Sequence, residues 1–334
     1  MAIVTITIIR IGGVRFLAAI NELGGVNGGN SASIAALENL DEDMPRYISD
    51  NTDDEMSHAA FLNAFLASRG EDPVNLDAFR TLPSSKATGA KQIGRLTNLM
   101  NLTVDTSWYT RYRSTQNSDL GGGPFPQAVK IVGEPAIPVN DADTPPGQAQ
   151  PVPPTNNQQS RMQAIANTAG FHFATFDQAG SSVYTNLILK VTDPVVLRVL
   201  VSIMGVEVNH FAVWHDKAGN AVSDPLAGVV VPKTGVTFPD LNSAPFGGEL
   251  FQTNLIMPKP CQFLNPNFPD CSVIRPSLKR NAGAVVIANA IVASQLFLGQ
   301  PMAFLEALGE LAHAADAARP KTDGDRSHHF GDDD

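Results

Sequence analysis

The sequence predicts a mainly α protein built around a four-helix bundle. Apolar residues recur at helical spacing through several long stretches, two of these stretches each carry a Glu-x-x-His pair, and Pro- and Gly-rich segments interrupt the pattern. We expect a bundle over residues 1–219 with a long Pro/Gly-rich insertion at 114–159. An irregular C-terminal subdomain at 220–317 that ends in helices, and a polar, disordered tail at 318–334, are expected to follow.

The first part of the chain shows clear signals for where helices begin and end. Residues 31–69 contain two helical segments, with Pro45 in a first turn and Gly70 directly after the second. Apolar positions at helical spacing predict a further helix over 88–113.

The second part of the bundle follows the insertion. A helix is predicted over 160–190, and the next begins with Asp193 as N-cap and Pro194 at the first helical position. Gly219 is expected to end it. Short extended pieces and two further helical stretches complete the C-terminal region.

Composition excludes several classes of partner. The chain has 33 acidic and 23 basic residues, a formal charge of −10 and a pI near 5.1. This balance argues against nucleic acid and anionic membrane surfaces, both of which attract net positive charge. No uninterrupted apolar run reaches about 18 residues, so the sequence predicts no transmembrane segment.

The sequence assigns no compartment. Its N-terminal stretch lacks the charged start and the cleavage site of a signal peptide. Cys261 and Cys271 flank a loop rich in Pro and Asn, which a disulfide could close in an extracytoplasmic location. Two free thiols are an equally good interpretation.

Two apolar stretches each carry a glutamate and a histidine three residues apart. Glu55 and His58 lie in DDEMSHAAF, and Glu207 and His210 lie in VSIMGVEVNHFAVW. Residues i and i+3 share one helix face, so one cation could contact both side chains of a pair. Two such pairs indicate a dinuclear site, because two adjacent cations need carboxylates to offset their repulsion and imidazoles to complete their coordination.

A carboxylate from the preceding helix is expected to join this site. Asp177 is the acidic residue of FHFATFDQAGSSVYTN, about 30 residues before Glu207, as two antiparallel helices with a short turn require. Tyr184 lies two turns further along the same face. The alternative for Asp177 is a helix-end or solvent-facing residue.

The chain resembles ferritin-like domain proteins related to plant desiccation-related proteins and fungal stress proteins. The resemblance covers residues 47–222. It is carried by YISDNTDDEMSHAAFLNAFL, KATGAKQIGRLTNLMNLTVDTSWYTRYRS, SSVYTNLILKVTDP and SIMGVEVNHFAVWHDKAGNAV. It implies a ferritin-like four-helix bundle with a di-iron or di-manganese centre. By this resemblance Glu55 and His58 are second-helix ligands, Glu207 and His210 are fourth-helix ligands, and Asp177 stands where the third helix usually offers Glu.

The first helix departs from that pattern. Residues 1–21 contain no acidic residue, and Glu22, just before a run of glycines, is the candidate for the first-helix ligand. Either the connection brings Glu22 to the site or this ligand is missing from the chain. Two other histidines are interpreted differently: His172 as a core histidine, and His215 as a residue that orients a ligand or marks the polar end of its helix.

Two functions are compatible with these observations. The first is a metal-binding oxidase or peroxide-detoxifying protein with two iron or manganese ions, whose partners are metal ions and a small oxidant such as O₂ or peroxide. The second is a non-catalytic protein of desiccation or stress protection with a vestigial or empty metal site. The sequence names no further substrate and no oligomeric state.

Overall fold

The computed structural model describes residues 16–112, 126–144, 157–243 and 283–317, together with residue 267 and strand residues 255–256 and 272–273. The helices are α1 (described for residues 16–24), α2 (Ser31–Glu38), α3 (Met44–Ser68), α4 (Ser107–Tyr112), α5 (Asn157–Leu187), α6 (Pro194–Asn220), α7 (Ala284–Ala293) and α8 (Met302–Ala317), with short 3₁₀ helices at Asp77–Phe79 and Ile188–Lys190. Three antiparallel strand pairs are present: β1 (Leu102–Val104) with β2 (Ile131–Glu134), β3 (Val229–Val231) with β4 (Val236–Phe238), and β5 (Leu255–Ile256) with β6 (Ser272–Val273). The predicted mainly α class is confirmed.

Aromatic side chains join α1, α3, α5 and α6 into a bundle. Phe16 of α1 packs against Phe176 of α5 with ring centroids 4.4 Å apart, and Tyr47 of α3 packs against Trp214 of α6 at 5.4 Å. Phe173 of α5 contacts both groups, at 5.2 Å from Phe16 and 4.7 Å from Trp214. Pairs of this kind each contribute about 1 kcal/mol beyond the area they bury. One continuous cluster of rings therefore links the four helices.

The starts of α3 and α6 and the end of α3 lie where local sequence signals predict, whereas Gly219, expected to end α6, is the penultimate residue of that helix. The Asp193 side chain accepts a hydrogen bond from the Val195 backbone N–H at 2.8 Å, and Pro194 occupies the first turn of α6. Pro45 lies in the first turn of α3, and Gly70 follows its end with φ of +75°, a conformation that favours glycine.

Residues 88–113 were wrongly predicted to be one helix. Over the described residues 88–112 the chain is extended and irregular, with β1 and the short α4 toward the end. Arg95 pairs with Leu82 in an isolated antiparallel bridge, and a Cβ at Gly94 would lie 1.9 Å from the carbonyl oxygen of Arg80. This close approach of two segments holds the chain extended, and apolar spacing alone does not reveal it.

The C-terminal helices α7 and α8 pack against the bundle. Asp316 of α8 accepts hydrogen bonds from the backbone N–H groups of Ala284 (2.9 Å) and Val285 (3.0 Å), at the start of α7. Buried residues of α3, α5, α6, α7 and α8 share one apolar cluster: Leu62, Leu66, Ala179, Val183, Tyr184, Leu187, Leu200, Ile203, Ala284, Ile287, Ala312 and Ala315. The predicted division near residue 219 stays a prediction. The predicted tail at 318–334 and the Cys261–Cys271 pairing lie outside the described residues.

Within the described residues, α6 is the one helix long and apolar enough to cross a membrane. The core helix of a soluble protein meets the same criterion. Because α6 also presents Glu207 and His210 to the interior of the bundle, its length and composition do not establish a membrane span.

Candidate metal centre

Five of the predicted ligands come together between α3, α5 and α6. Glu55 is 3% exposed, Asp177 6%, Glu207 2% and His210 1%, while His58 is partly buried at the edge of the cluster. Burying this many ionisable groups is unfavourable unless their charges are offset. The cluster is therefore a place where a cation, or a set of shared protons, has to lie.

These side chains form two groups that could each hold a metal ion. One group is Glu55, His58 and Glu207, and the other is Asp177, Glu207 and His210. In each group one donor atom from every residue lies within 4.8 Å of the others. Glu207 belongs to both groups, as a carboxylate that bridges two cations would, and each group has one imidazole.

The spacing around His58 fits ligands of one ion better than it fits hydrogen bonds. Its Nδ1 atom lies 3.8 Å from Glu55 Oε1 and 3.7 Å from Glu207 Oε1. This buried nitrogen has no hydrogen-bond partner in the part of the chain that the structure describes. Two donors that are each about 2.1 Å from one ion lie roughly 3 to 4 Å apart, whereas hydrogen bonds of this kind are about 3 Å long.

The acidic cluster changes the protonation of His210. Burial by itself lowers the pKa of this imidazole, but the hydrogen bond to Glu55 and the charges of Asp177, Glu207 and Glu55 outweigh burial and raise the pKa to about 9. The Glu55 carboxylate lies 3.4 Å from His210 Nδ1. The surroundings therefore favour positive charge at this position.

Asn51 connects His210 to Trp214. The indole Nε1 of Trp214 donates to Asn51 Oδ1 at 3.0 Å, and this bond directs the Asn51 amino group to the His210 ring, 2.8 Å from Nδ1. An amino group only donates, so it favours a ring nitrogen without hydrogen, whereas the carboxylates favour a charged ring. A cation would supply the positive charge that the carboxylates favour and leave the imidazole neutral, with a single nitrogen free of hydrogen for either the ion or the Asn51 amino group. Asp54 also contacts the ring, with Oδ2 3.1 Å from Nε2.

Tyr47 is a half-buried residue beside the cluster, and the sequence alone did not identify it. Its hydroxyl lies 3.4 Å from the carbonyl oxygen of His210. Burial, and then the negative charges of the cluster, raise the pKa of Tyr47 well above its usual value, so the phenol keeps its proton. One face of α3 carries Tyr47, Asn51 and Glu55 at four-residue spacing. This spacing from Glu55 could have revealed Tyr47 and Asn51.

Asp177 lies within α5 and is buried, so the helix-end and solvent-facing alternatives do not apply. Three residues further along α5, Gly180 allows close packing against the centre. A Cβ added there would lie 3.3 Å from Glu207 Oε2. The absence of a side chain at this position leaves the Glu207 carboxylate its space.

The structure does not bring Glu22 to the cluster. Its carboxylate forms an ion pair with Arg95 and accepts a hydrogen bond from the Lys91 N–H at 3.0 Å. The neighbouring Asn21 contacts Ser49 at 2.8 Å. Ser49 is six residues before Glu55, which is about 9 Å along a helix. Of the two outcomes considered for Glu22, the described part of α1 therefore fits the one in which the first-helix ligand is missing.

Two other buried histidines lie outside both metal groups. His172 packs on Phe173 at 5.3 Å, and burial lowers its pKa to about 4. His215 lies 5.5 Å from the Trp108 ring and 5.3 Å from the Tyr109 ring. The interpretation of His172 as a core histidine fits this placement, and His215 lies in an aromatic cluster and not at the polar end of its helix.

Comparison with known proteins gives one match. The model of the ferritin-like domain matches residues 23–220, more than half of the chain. No curated protein and no solved structure matches. The matched region ends at the last residue of α6 and includes every residue of the two metal groups.

Proposed function

Because this chain belongs to the ferritin-like domain family, we propose that it binds two iron or manganese ions between α3, α5 and α6 and acts as an oxidoreductase on O₂ or peroxide. The observation that carries the proposal is the sharing of Glu207 between two groups of potential ligands. Bound iron or manganese would supply the electron-transfer chemistry that protein side chains lack.

In this proposal each ion has its own imidazole. Glu55 and His58 would hold one ion, Asp177 and His210 would hold the other, and Glu207 would contribute a carboxylate oxygen to each. The mixed set of carboxylate and imidazole donors is acceptable to iron and to manganese alike. Each group offers three residues, so a bound ion would have room for water or a small oxidant as a further ligand.

Other side chains orient the ligands and hold protons. Asn51, fixed by Trp214, sets the position of the His210 ring, which is the kind of support that tunes affinity at metal sites. Tyr47 remains protonated and provides a hydroxyl hydrogen at the edge of the cluster. The Phe173 ring packs on Trp214 and limits the access of water from that side.

Metal analysis tests the proposal. The purified chain is loaded anaerobically with ferrous or manganous ions, desalted and analysed for atoms of metal per chain. We expect about two. Consumption of O₂ and of peroxide by the loaded protein is then compared with that of Glu207→Ala, which should lose both the metal and the activity.

One observation favours a second function. Glu22 is bound to Arg95, so the described residues lack a carboxylate from the first helix. The alternative is a non-catalytic protein of stress protection, in keeping with the resemblance to desiccation-related proteins. Metal content near zero after anaerobic loading would contradict the dinuclear proposal and support this one. Two bound ions without oxidant consumption would retain metal binding and exclude turnover.

A further inference from the structure

A cavity of about 420 Å³ lies between α5, the β1–β2 pair and α7. It faces a different side of α5 from the metal centre. His172, Thr175, Phe176 and Ala179 line it and recur at three- or four-residue spacing on one helix face. Asp177 lies about 100° further round the helix than Phe176. The cavity and the candidate metal centre are thus separate features of one helix.

The wall of the cavity is mainly apolar. Its apolar side chains come from all three neighbouring elements and include Val104, Ile131, Phe176, Ala179 and Ile291. The volume lies within the range of pockets that bind small organic molecules. An apolar wall of this kind favours a ligand that transfers hydrocarbon surface out of water.

Most polar groups of the wall already have partners. Thr175 Oγ1 donates to the Asp105 carbonyl at 2.6 Å, and Ser294 Oγ donates to the Ile291 carbonyl at 2.7 Å. His172 differs, because it is 3% exposed and its Nε2 has no hydrogen-bond partner among the described residues. A buried polar atom in this condition is destabilising. Nε2 itself has almost no accessible surface, so a small turn of the imidazole ring has to bring it to the cavity before a ligand can bond to it.

The chemistry of His172 selects the polar part of the ligand. Burial lowers the pKa of this imidazole to about 4, so the ring is neutral near pH 7 and Nε2 either donates or accepts according to the tautomer. A hydroxyl group can meet both cases because it donates and accepts. The rim carries one charge of each sign, Asp105 and Lys130, and gives no net preference for an ionic ligand.

We propose that this cavity binds an uncharged, mainly apolar alcohol or phenol whose hydroxyl group hydrogen-bonds to His172 Nε2. The hydrocarbon part lies against Phe176 of α5 and Ile291 of α7. The inference goes beyond the metal-dependent function and does not depend on it, because no metal ligand lines the cavity.

Calorimetric titration of the full chain with octan-1-ol tests the proposal, with octanoate as the charged probe of the same length. We expect saturable binding of one octanol per chain, in the metal-loaded and the metal-free protein alike. Octanoate should bind about tenfold more weakly, because its carboxylate loses hydration at a neutral imidazole. Tighter binding of octanoate than of octanol would overturn the proposal and indicate a carboxylate site at the rim.

Variants of α7 locate the binding. Ala290 lines the cavity and is exposed, so Ala290→Phe should fill the cavity and reduce octanol affinity at least about tenfold without disturbing the core. Val292→Phe is the matched control, because Val292 is 38% exposed on the same helix and does not line the cavity. Absence of saturable binding to the unaltered chain, or equal binding to both variants, would overturn the proposal.

The hydrogen bond is tested separately by His172→Phe, which keeps an aromatic ring and removes Nε2. Octanol should then bind roughly threefold to tenfold more weakly, while octanoate changes less. Circular dichroism checks the fold of this variant. If it does not fold, Ala293→Phe, at a second exposed position of the lining, repeats the test made with Ala290→Phe. Unchanged octanol affinity in a folded His172→Phe chain would contradict the role of His172.

Discussion

Buried acids are neutralised differently in two regions of this molecule. Away from the candidate metal centre, Glu134 is fully buried and pairs with Arg161, and the partly buried Glu22 pairs with Arg95. A guanidinium stays charged at any pH at which the protein is folded. These acids therefore bring a permanent countercharge with them.

At the candidate metal centre the acids face histidines. Glu55 lies 3.8 Å from His58 and 3.4 Å from His210, and Glu207 lies 3.7 Å from His58. The charge of an imidazole depends on pH and on whether a metal is bound. An acid paired with an arginine is therefore neutralised within the folded chain itself. An acid that faces a histidine depends on a proton or a metal ion taken up from solution.

The largest expected effect is the loss of metal in Glu207→Ala. Since Glu207 belongs to both groups, its removal should lower the metal content of the loaded protein from about two ions to less than one. Glu22→Ala is the matched control and should keep the full content, because Arg95 binds that carboxylate elsewhere. Elemental analysis of both variants checks the prediction. Loss of metal in Glu22→Ala would mean that Glu22 contributes to the metal site despite its ion pair with Arg95.

The next effect concerns stability and not metal. Arg161→Ala leaves Glu134 buried without its guanidinium and should lower the free energy of unfolding by about 3 kcal/mol. Arg80→Ala removes an ion pair to the exposed Asp77, in which Arg80 is itself partly exposed, and should cost less than about 1 kcal/mol. Urea denaturation measures both values. Equal losses of unfolding free energy would mean that burial does not distinguish the two ion pairs. The metal content should be unchanged in both variants.

A smaller effect is expected for the residue that orients His210. Asn51→Leu removes the amide that holds the ring in position and should weaken metal binding by roughly 10- to 100-fold. Competition with a chelator of known affinity measures the change. Thr52→Val is the control on the same helix, because the Thr52 hydroxyl donates within α3, to the Ile48 carbonyl at 2.7 Å. The same affinity loss in both variants would assign the effect to packing.

The smallest effect concerns two buried histidines whose pKa values are shifted in opposite directions. The pKa of His210 is raised to about 9 by carboxylates, whereas burial lowers that of His172 to about 4. Between pH 6.5 and 4, His172 binds a proton in the unfolded chain but not in the folded one. This residue therefore leaves the free energy of unfolding unaffected above pH 6.5 and lowers it as the pH falls below that value. At pH 5 the reduction is about 2 kcal/mol.

The variant His172→Phe checks this sign. The difference in unfolding free energy between the unaltered chain and His172→Phe should shift in favour of the variant as the pH falls from 7 to 5. Urea denaturation at both pH values measures it. A difference that stays constant with pH would mean that the folded protein accommodates the charged ring.

The sequence identified the features of this fold that are coded locally. Asp193 and Pro194 mark the start of α6 through interactions with adjacent backbone, and the two Glu-x-x-His pairs need one helix face each. Such signals do not depend on the rest of the chain. They were sufficient to predict the bundle and to place five of the potential ligands in one cluster.

Features that depend on distant contacts were not visible. Glu22 binds Arg95, 73 residues away in sequence, and Gly94 approaches Arg80 so closely that a helix cannot form there. Asn51 acquires its role only when α6 brings His210 and Trp214 to it. Spacing along a helix shows which residues share a face, but it does not show which partner that face meets.

The contacts of Asp316 extend the folded unit beyond the family match. The match ends at residue 220, yet the carboxylate near the end of α8 holds the first turn of α7 and approaches Lys190, at the turn between α5 and α6, at 3.4 Å. Truncation before residue 316 would uncap α7, which also forms one side of the cavity lined by His172 and Phe176. A shortened chain that preserves these features therefore has to reach the last turn of α8, and a boundary drawn from the family match alone would cut through an apolar cluster.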